Sequence, residues 1–176
     1  ISIRNPALMN IPLRMQSHMY TDILRLIEFL KSRGRKDIRL LCHDRRDIAF
    51  ASSFPDIDYV FTGDVYSYLA LLKSCGLNIS YRLHASLPCL AFGTPTIKIS
   101  YDERAISLLE TIGMGEWNID LVRCGDLVEA VKERYDRLCE LPAIRERARP
   151  IWDVLYATMA DSFAQYAREV KANARI

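Results

Sequence analysis

Short runs of aliphatic and β-branched residues alternate along the chain with longer stretches in which apolar side chains recur every three or four positions. That alternation predicts strands and helices in turn. Ile1-Ser2-Ile3 reads as a strand, broken by a loop through Asn5, Pro6, Asn10 and Pro12. A helix is expected from about Ser17 to Lys31, with Ile23, Leu26, Ile27 and Leu30 on one stripe and Gly34 stopping it. Ile38 to His43 is the next strand, leading into the charged turn Asp44-Arg45-Arg46-Asp47 and a short helix from Asp47 to Ser52. Asp58 to Phe61 reads as a third strand, and Asp64 is placed to cap a helix running to about Cys75. A brief strand comes next, at Leu77 to Ile79.

Leu83, Leu87 and Leu90 stand at helical spacing ahead of Gly93, Thr96 to Ser100 is a strand, and Ile106, Leu108, Leu109 and Ile112 suggest a helix ending at Gly113. Asp126-Leu127-Val128-Glu129 has the form of a capping box for a helix running to about Cys139 and stopping before Pro142. A last helix, at about 143–171, is expected from Ile144, Ala148, Ile151, Leu155, Met159, Phe163, Tyr166 and Val170. Pro150 should break or kink it, because proline lacks the amide proton and crowds the preceding turn. The pattern implies one α/β domain over 1–176, Rossmann-like, with a mainly parallel sheet and helices on both faces.

Charge changes the picture only by exclusion. With 24 Lys+Arg against 22 Asp+Glu, the formal net charge is +2, which is not the footprint of a dedicated nucleic-acid binder. No apolar run approaches the roughly 18 residues of a membrane span, and no signal peptide opens the chain, so a cytoplasmic protein is expected. The five cysteines form no CxxC pair and read as reduced, mostly buried thiols. The chain opens at Ile1 inside a strand, so residues upstream are expected.

In parallel α/β sheets ligands dock outside the carboxyl ends of the strands, where loops lead into helix N-termini. The turns there are Arg4-Asn5, His43 to Asp47, Thr62 to Asp64, Ser80 to His84 and Ser100 to Arg104, and four of the five carry Arg or His. This suits an anion, because helix N-termini already offer free N–H groups. In Tyr81-Arg82-Leu83-His84 an extended backbone puts Arg82 and His84 on one face and Leu83 toward the core, with the helix starting near His84. The same residues also fit an Arg paired with a neighbouring carboxylate beside a helix-capping His, and the spacing leaves both readings open.

These residues resemble a family. Ser80-Tyr81-Arg82-Leu83-His84-Ala85, then Gly93-Thr94-Pro95, then Ile99-Ser100-Tyr101-Asp102, are similar to the C-terminal half of polysaccharide pyruvyl transferases, most closely over Leu77 to Met114. Ile1 to Asn5 is similar to the strand and Arg that open the family's second domain. Arg104 stands where the family usually has Lys, and Pro88 interrupts a helix that is normally continuous. The resemblance implies one half of a two-domain, GT-B-like glycosyltransferase fold, with an N-terminal domain missing from this chain.

It also implies transfer of the pyruvyl unit of phosphoenolpyruvate, as a cyclic ketal, onto a sugar of a surface polysaccharide or a lipid-linked oligosaccharide precursor. Phosphoenolpyruvate is then a donor substrate, and no separate cofactor or metal is expected. A polyanionic donor calls for guanidinium partners, and a group titrating near neutrality is needed to carry protons. On this basis Arg82 is assigned to the donor and His84 to proton transfer. Arg4 is a second candidate for the anion, and His43, Tyr101, Asp102 and Arg104 are further substrate-binding candidates. Two other readings compete: the nucleotide-sugar half of a glycosyltransferase, and a sugar-binding or assembly domain without turnover. Glu103 and Glu110 are seven apart, a poor match to the eight-residue spacing of many retaining glycosyltransferases. The chain alone is expected to show little or no transferase activity.

The remaining residues have plainer readings. His18 is expected in solvent, and the Arg and Lys residues between Arg33 and Arg46, interleaved with Asp37, Asp44 and Asp47, read as a solvated edge. Arg145, Arg147 and Arg149 are expected to face water, and Tyr156, Phe163 and Tyr166 to pack against an upstream domain.

Overall fold

A computed structural model describes residues 1–173. Six strands form one sheet: β1 (Ser2–Ile3), β2 (Leu40–Cys42), β3 (Tyr59–Phe61), β4 (Asn78–Ser80), β5 (Thr96–Ser100) and β6 (Asn118–Asp120). Every neighbouring pair is parallel, in the order β3-β2-β1-β4-β5-β6. Parallel neighbours need a crossover, and helices supply it. They are α1 (Leu13–Ser32), α2 (Ile48–Ala51), α3 (Val65–Ser74), α4 (Leu83–Phe92) and α5 (Glu103–Thr111), then α6 (Leu127–Asp136) and α7 (Leu141–Asn173). The Rossmann-like expectation holds. The chain builds outward from β1 to β3, then returns to the other side of β1 at β4, which is the strand order of a doubly wound sheet.

The two faces of the sheet differ in chemistry. Ile3, Leu40, Cys42, Ile79, Ile97 and Ile99 point to one side, where they form the main core with Met19, Ile23, Leu26, Ile27 and Leu30 of α1 and Leu127, Val128 and Val131 of α6. Alternate positions point to the other side and are polar yet buried: Ser2, Asn78, Ser80, Thr96, Lys98 and Ser100. Each of their side chains is hydrogen-bonded. Ser2 Oγ donates to Asn78 Oδ1 at 2.8 Å, Thr96 Oγ1 to the Asn78 carbonyl at 3.1 Å, and Ser100 Oγ to Asn118 Oδ1 at 2.7 Å. Satisfied in this way, buried polar groups avoid the desolvation penalty of unpaired ones. A smaller cluster of Tyr68, Leu72, Ala85 and Cys89 joins α3 to α4 beyond this layer.

Helix boundaries obey local chemistry. Asp64, Asp102 and Asp126 cap α3, α5 and α6 by accepting backbone N–H groups of the first turn. Gly93, at φ 80°, closes α4. Among the described residues, no helix is long and apolar enough to cross a membrane.

Several expectations are corrected. Helix α1 starts four residues earlier than expected, at Leu13, with Pro12 ahead of its first turn. The helix after β4 begins at Leu83 and buries Ala85, Ser86, Cys89 and Leu90, so Leu83 and Leu87 are only half-buried. β6 is a strand that the hydrophobic pattern does not reveal, because three residues with one buried Ile show no periodicity. Helix α6 ends at Asp136, and Pro142 lies in the first turn of α7, where no amide donor is required.

Helix α7 runs unbroken through Pro150. The amide that Pro150 lacks would have bonded at Glu146, and both residues are exposed, so the freed carbonyl can be hydrated. Its stripe is corrected too. Ile144 and Ala148 pack with Leu90, Met114 and Trp117, but Leu155, Met159, Phe163, Tyr166 and Val170 are exposed. Arg145 is half-buried against Gly93. Of the cysteines, Cys42 and Cys89 are buried, Cys75 and Cys124 half-buried and Cys139 exposed, all as free thiols.

Gly113 (φ +73°) lets α7 approach the end of α5: a Cβ there would lie 2.8 Å from Ile151 Cδ1 and 3.3 Å from Ala148 Cβ. Gly34 shares the left-handed backbone (φ +79°) but has nothing within 4 Å of a Cβ. Either Gly→Ala change carries a backbone cost of about 1 kcal/mol. Gly113→Ala should lose on the order of 1 kcal/mol more than Gly34→Ala in urea unfolding, and equal losses would remove the close approach as a constraint.

Candidate active site

Strand order reverses between β1 and β4, and a cleft of about 250 Å³ lies along the carboxyl edge there. β1 delivers Arg4, and the turn after β2 delivers His43, Asp44 and Arg46. Arg82, Leu83 and His84 come from the β4–α4 turn, and Lys98, Tyr101, Asp102 and Arg104 from β5 and the turn after it. The seven residues singled out in the sequence therefore share one cleft.

Its organising group is Asp47, which is wholly buried. Asp47 Oδ1 accepts from Asn5 N at 3.0 Å, Oδ2 accepts from Asp44 N at 3.2 Å, and the Arg82 guanidinium donates to Oδ2 through Nη2. Arg4 Nη1 lies 3.8 Å from Asp47 and 3.9 Å from Asp44. One carboxylate thus ties the ends of β1, β2 and β4 together. The solvated-edge reading fails for Asp47 because its charge is matched by buried cations instead of water. Asp44 keeps the exposed role: it pairs with Arg46, which holds its carboxyl well below the usual carboxylate range.

Arg82 is committed on two sides, to Asp47 and, through Nε, to the Ile3 carbonyl at 3.1 Å. The fork expected to grip a ligand is therefore partly occupied by protein, and Nη1 has no hydrogen-bond partner among the described residues. Arg4 is nearly as buried, with 13% of its side chain exposed, and its Nε has no partner among the described residues. His84 is exposed at the first turn of α4. Its ring stacks on that of His43, with centroids 5.7 Å apart and planes at 16°.

His43 Nδ1 lies 3.2 Å from the Tyr68 hydroxyl, which fixes the ring. Partial burial, and then the charge of Arg82, lower the pKa of His43, which favours its neutral form. At the rim, Asp102 caps α5 through Ala105 N (2.8 Å), and Arg104 reaches into solvent with 82% of its side chain exposed.

Lys98 was not anticipated. It is 2% exposed, and its Nζ donates to the carbonyls of Tyr81 (3.2 Å) and Ile99 (2.5 Å). Burial drives its pKa down to about 7, opposed by the Asp102 charge. The signal was available: a Lys in the middle of a parallel strand, between two core Ile residues, departs from the near-continuous apolar run such strands show. The burial of Asp47 had no local signal, because the Arg82 guanidinium and the Asn5 amide that match its charge lie 35 and 42 residues away.

A second cavity, about 360 Å³, opens at the opposite edge of the sheet beside Ile1, Leu41 and Leu72. Both arginines that line it have protein partners: Arg39 pairs with Asp37, and Arg35 donates to the Tyr135 hydroxyl. The carboxyl-edge cleft is the better candidate.

Residues 25–103, under half of the chain, match the family described as Polysaccharide pyruvyl transferase. The resemblance read from the sequence is borne out over that segment, while Ile1 to Asn5 and the residues after Glu103 lie outside it. Among curated proteins, the amylovoran biosynthesis protein AmsJ of Erwinia amylovora is 33% identical over 73 residues, covering 39% of this chain and 18% of AmsJ. No solved structure matches.

Asp47→Ala, which leaves the Arg82 charge buried without its partner, should cost about 3–5 kcal/mol in denaturant unfolding, and adding Arg82→Met should recover part of that loss. A loss below about 1 kcal/mol would show that Arg82 finds water instead. For Lys98, the unfolded chain holds its proton to about pH 10.4, whereas the folded protein releases it near pH 7. The unfolded state therefore binds more protons in that window, and raising the pH favours folding. Relative to Lys98→Met, the wild type should gain stability from pH 7 to pH 10, and a flat difference would contradict the burial of the amine.

Proposed function

We propose that this chain carries the donor-binding half of a transferase that moves the pyruvyl group of phosphoenolpyruvate onto a sugar of a surface polysaccharide, or of its lipid-linked precursor, as a cyclic ketal. The observation that supports it most is the position of Arg82 and His84. The motif that matches the family lies at the strand-order reversal, beside Arg4, in a cleft whose cations converge. AmsJ is named for amylovoran biosynthesis, and the matching family is described by a polysaccharide, in keeping with a carbohydrate acceptor.

In this reading Arg4 and the free edge of Arg82 bind the carboxylate and phosphate of the donor, since guanidinium pairs with both. His84 exchanges a proton with the enol carbon or with the attacking hydroxyl, and the stacked His43 ring orients it. Tyr101, Asp102 and Arg104 form the rim toward the acceptor. Protonation of the enol carbon leaves an oxocarbenium-like centre, the hydroxyl oxygen adds to it, and a second hydroxyl displaces phosphate to close the ketal.

The reading includes an upstream domain and a cytoplasmic site of action, at or near the inner face of the membrane. The upstream domain is supported by a relative about twice the length of this chain and by the exposed apolar face of α7. The strand order equally suits a nucleotide, which keeps the glycosyltransferase alternative in play.

Thermal unfolding with phosphoenolpyruvate and, separately, a nucleoside diphosphate separates the two. At a hundred times its dissociation constant the true ligand adds about 2.7 kcal/mol, and stabilisation by the nucleotide alone would overturn the proposal. In the full-length protein, His84→Ala should lower turnover about 100- to 10,000-fold. A loss under about threefold would remove His84 from the chemistry.

A further inference from the structure

We propose that Lys98 is the charge-regulated floor of the cleft: an anion docking between Arg4 and Arg82 draws a proton from solvent onto the Lys98 amine, so the site binds the anion and the proton together. This rests on reading the cleft as an anion site and adds the group that sets its preference for charge.

The geometry comes from the polar face of the sheet. Lys98 lies in β5 opposite Ser80 of β4 and Asn118 of β6, both neutral. Its stem is buried, and Nζ is held by the carbonyls of Tyr81 and Ile99, at the carboxyl ends of β4 and β5. An ammonium has three N–H groups. Two are placed by those carbonyls, and the third has no acceptor among the described residues. The Tyr101 ring centre is 6.0 Å away, and the amine lines the same cleft as Arg4 and Arg82.

The charges around it come from four elements, of which the turn after β2 brings His43, Asp44 and Arg46, the last two paired with each other. The β4–α4 turn brings Arg82 and His84, the β5–α5 turn brings Asp102 and Arg104, and β1 brings Arg4. Asp102 is the carboxylate that favours the charged amine, and burial outweighs it. A dianion placed among these groups would reverse that balance. Arg4 and Arg82 cannot respond in this way, because a guanidinium stays protonated throughout, whereas a buried lysine changes state with its surroundings. Binding should therefore weaken as the pH rises above 7, because the proton must then be taken from an increasingly dilute pool.

The test is calorimetric titration with sulfate, which does not titrate in this range, from pH 7.5 to 9 in two buffers of different ionisation enthalpy, with phosphoenolpyruvate in parallel. The wild-type affinity for sulfate should fall by up to roughly tenfold per pH unit, with uptake of up to one proton. Lys98→Met, checked for folding by circular dichroism, should bind more weakly with no pH slope and no uptake, while His84→Ala should keep both. A wild type that takes up no proton, a Lys98→Met protein that still does, loss of the uptake in His84→Ala, or absence of any anion binding would each overturn the proposal. Sulfate binding with uptake but no phosphoenolpyruvate binding would sink the donor reading and leave the role of Lys98 standing. Phosphoenolpyruvate binding without uptake would do the reverse.

Discussion

The ion pair between Asp47 and Arg82 joins parts of the chain that share no local structure. Asp47 ends the turn after β2, Arg82 ends β4, and between them the Ile3 carbonyl and Asn5 amide of β1 complete the hydrogen bonding. Charges taken out of water are tolerated only when each is matched, and here both partners also bond to backbone. The pair therefore sets the spacing of three strand ends at the point where the sheet changes direction. Arg4, His43 and His84 take up their positions around that fixed frame, so the shape of the cleft depends on a contact that does not itself have to touch a ligand.

The second constraint is the asymmetry of the sheet. A strand reading Thr-Ile-Lys-Ile-Ser would ordinarily have one face in water, yet every residue of β5 is buried. The isoleucines enter the main core, while Thr96, Lys98 and Ser100 continue a hydrogen-bonded layer that begins at Ser2 and Asn78. Where that layer reaches the carboxyl edge it emerges as the floor of the cleft. The binding site is thus the exposed end of a buried polar seam.

The segment that matches the family ends at Glu103, and the residues beyond it complete the domain in another way. Trp117 donates its indole N–H to the Thr96 carbonyl at 2.7 Å and packs with Met114, Ile144 and Ala148, so the start of α7 docks onto the segment that leads into β6. Beyond Trp152, α7 leaves the body of the domain and presents Leu155, Met159, Phe163 and Tyr166 outward. The regular apolar spacing of this helix covers two different situations, a packed start and a longer unpacked remainder.

The alternation of strands and helices, the capping aspartates and β5 were legible because each rests on neighbours a few residues apart. Asp64 and Asp126 cap their helices as their positions imply, and Arg82 and His84 fall at the cleft because strand ends and helix starts can be read locally. Tertiary structure decided the rest: that Arg82 is paired with Asp47, that His43 stacks on His84, that Lys98 is buried, and that most of the α7 stripe faces outward. Periodicity marks which side of an element is apolar. Only long-range packing determines whether that side meets a partner, and only the same packing decides which charges must find each other in the absence of water.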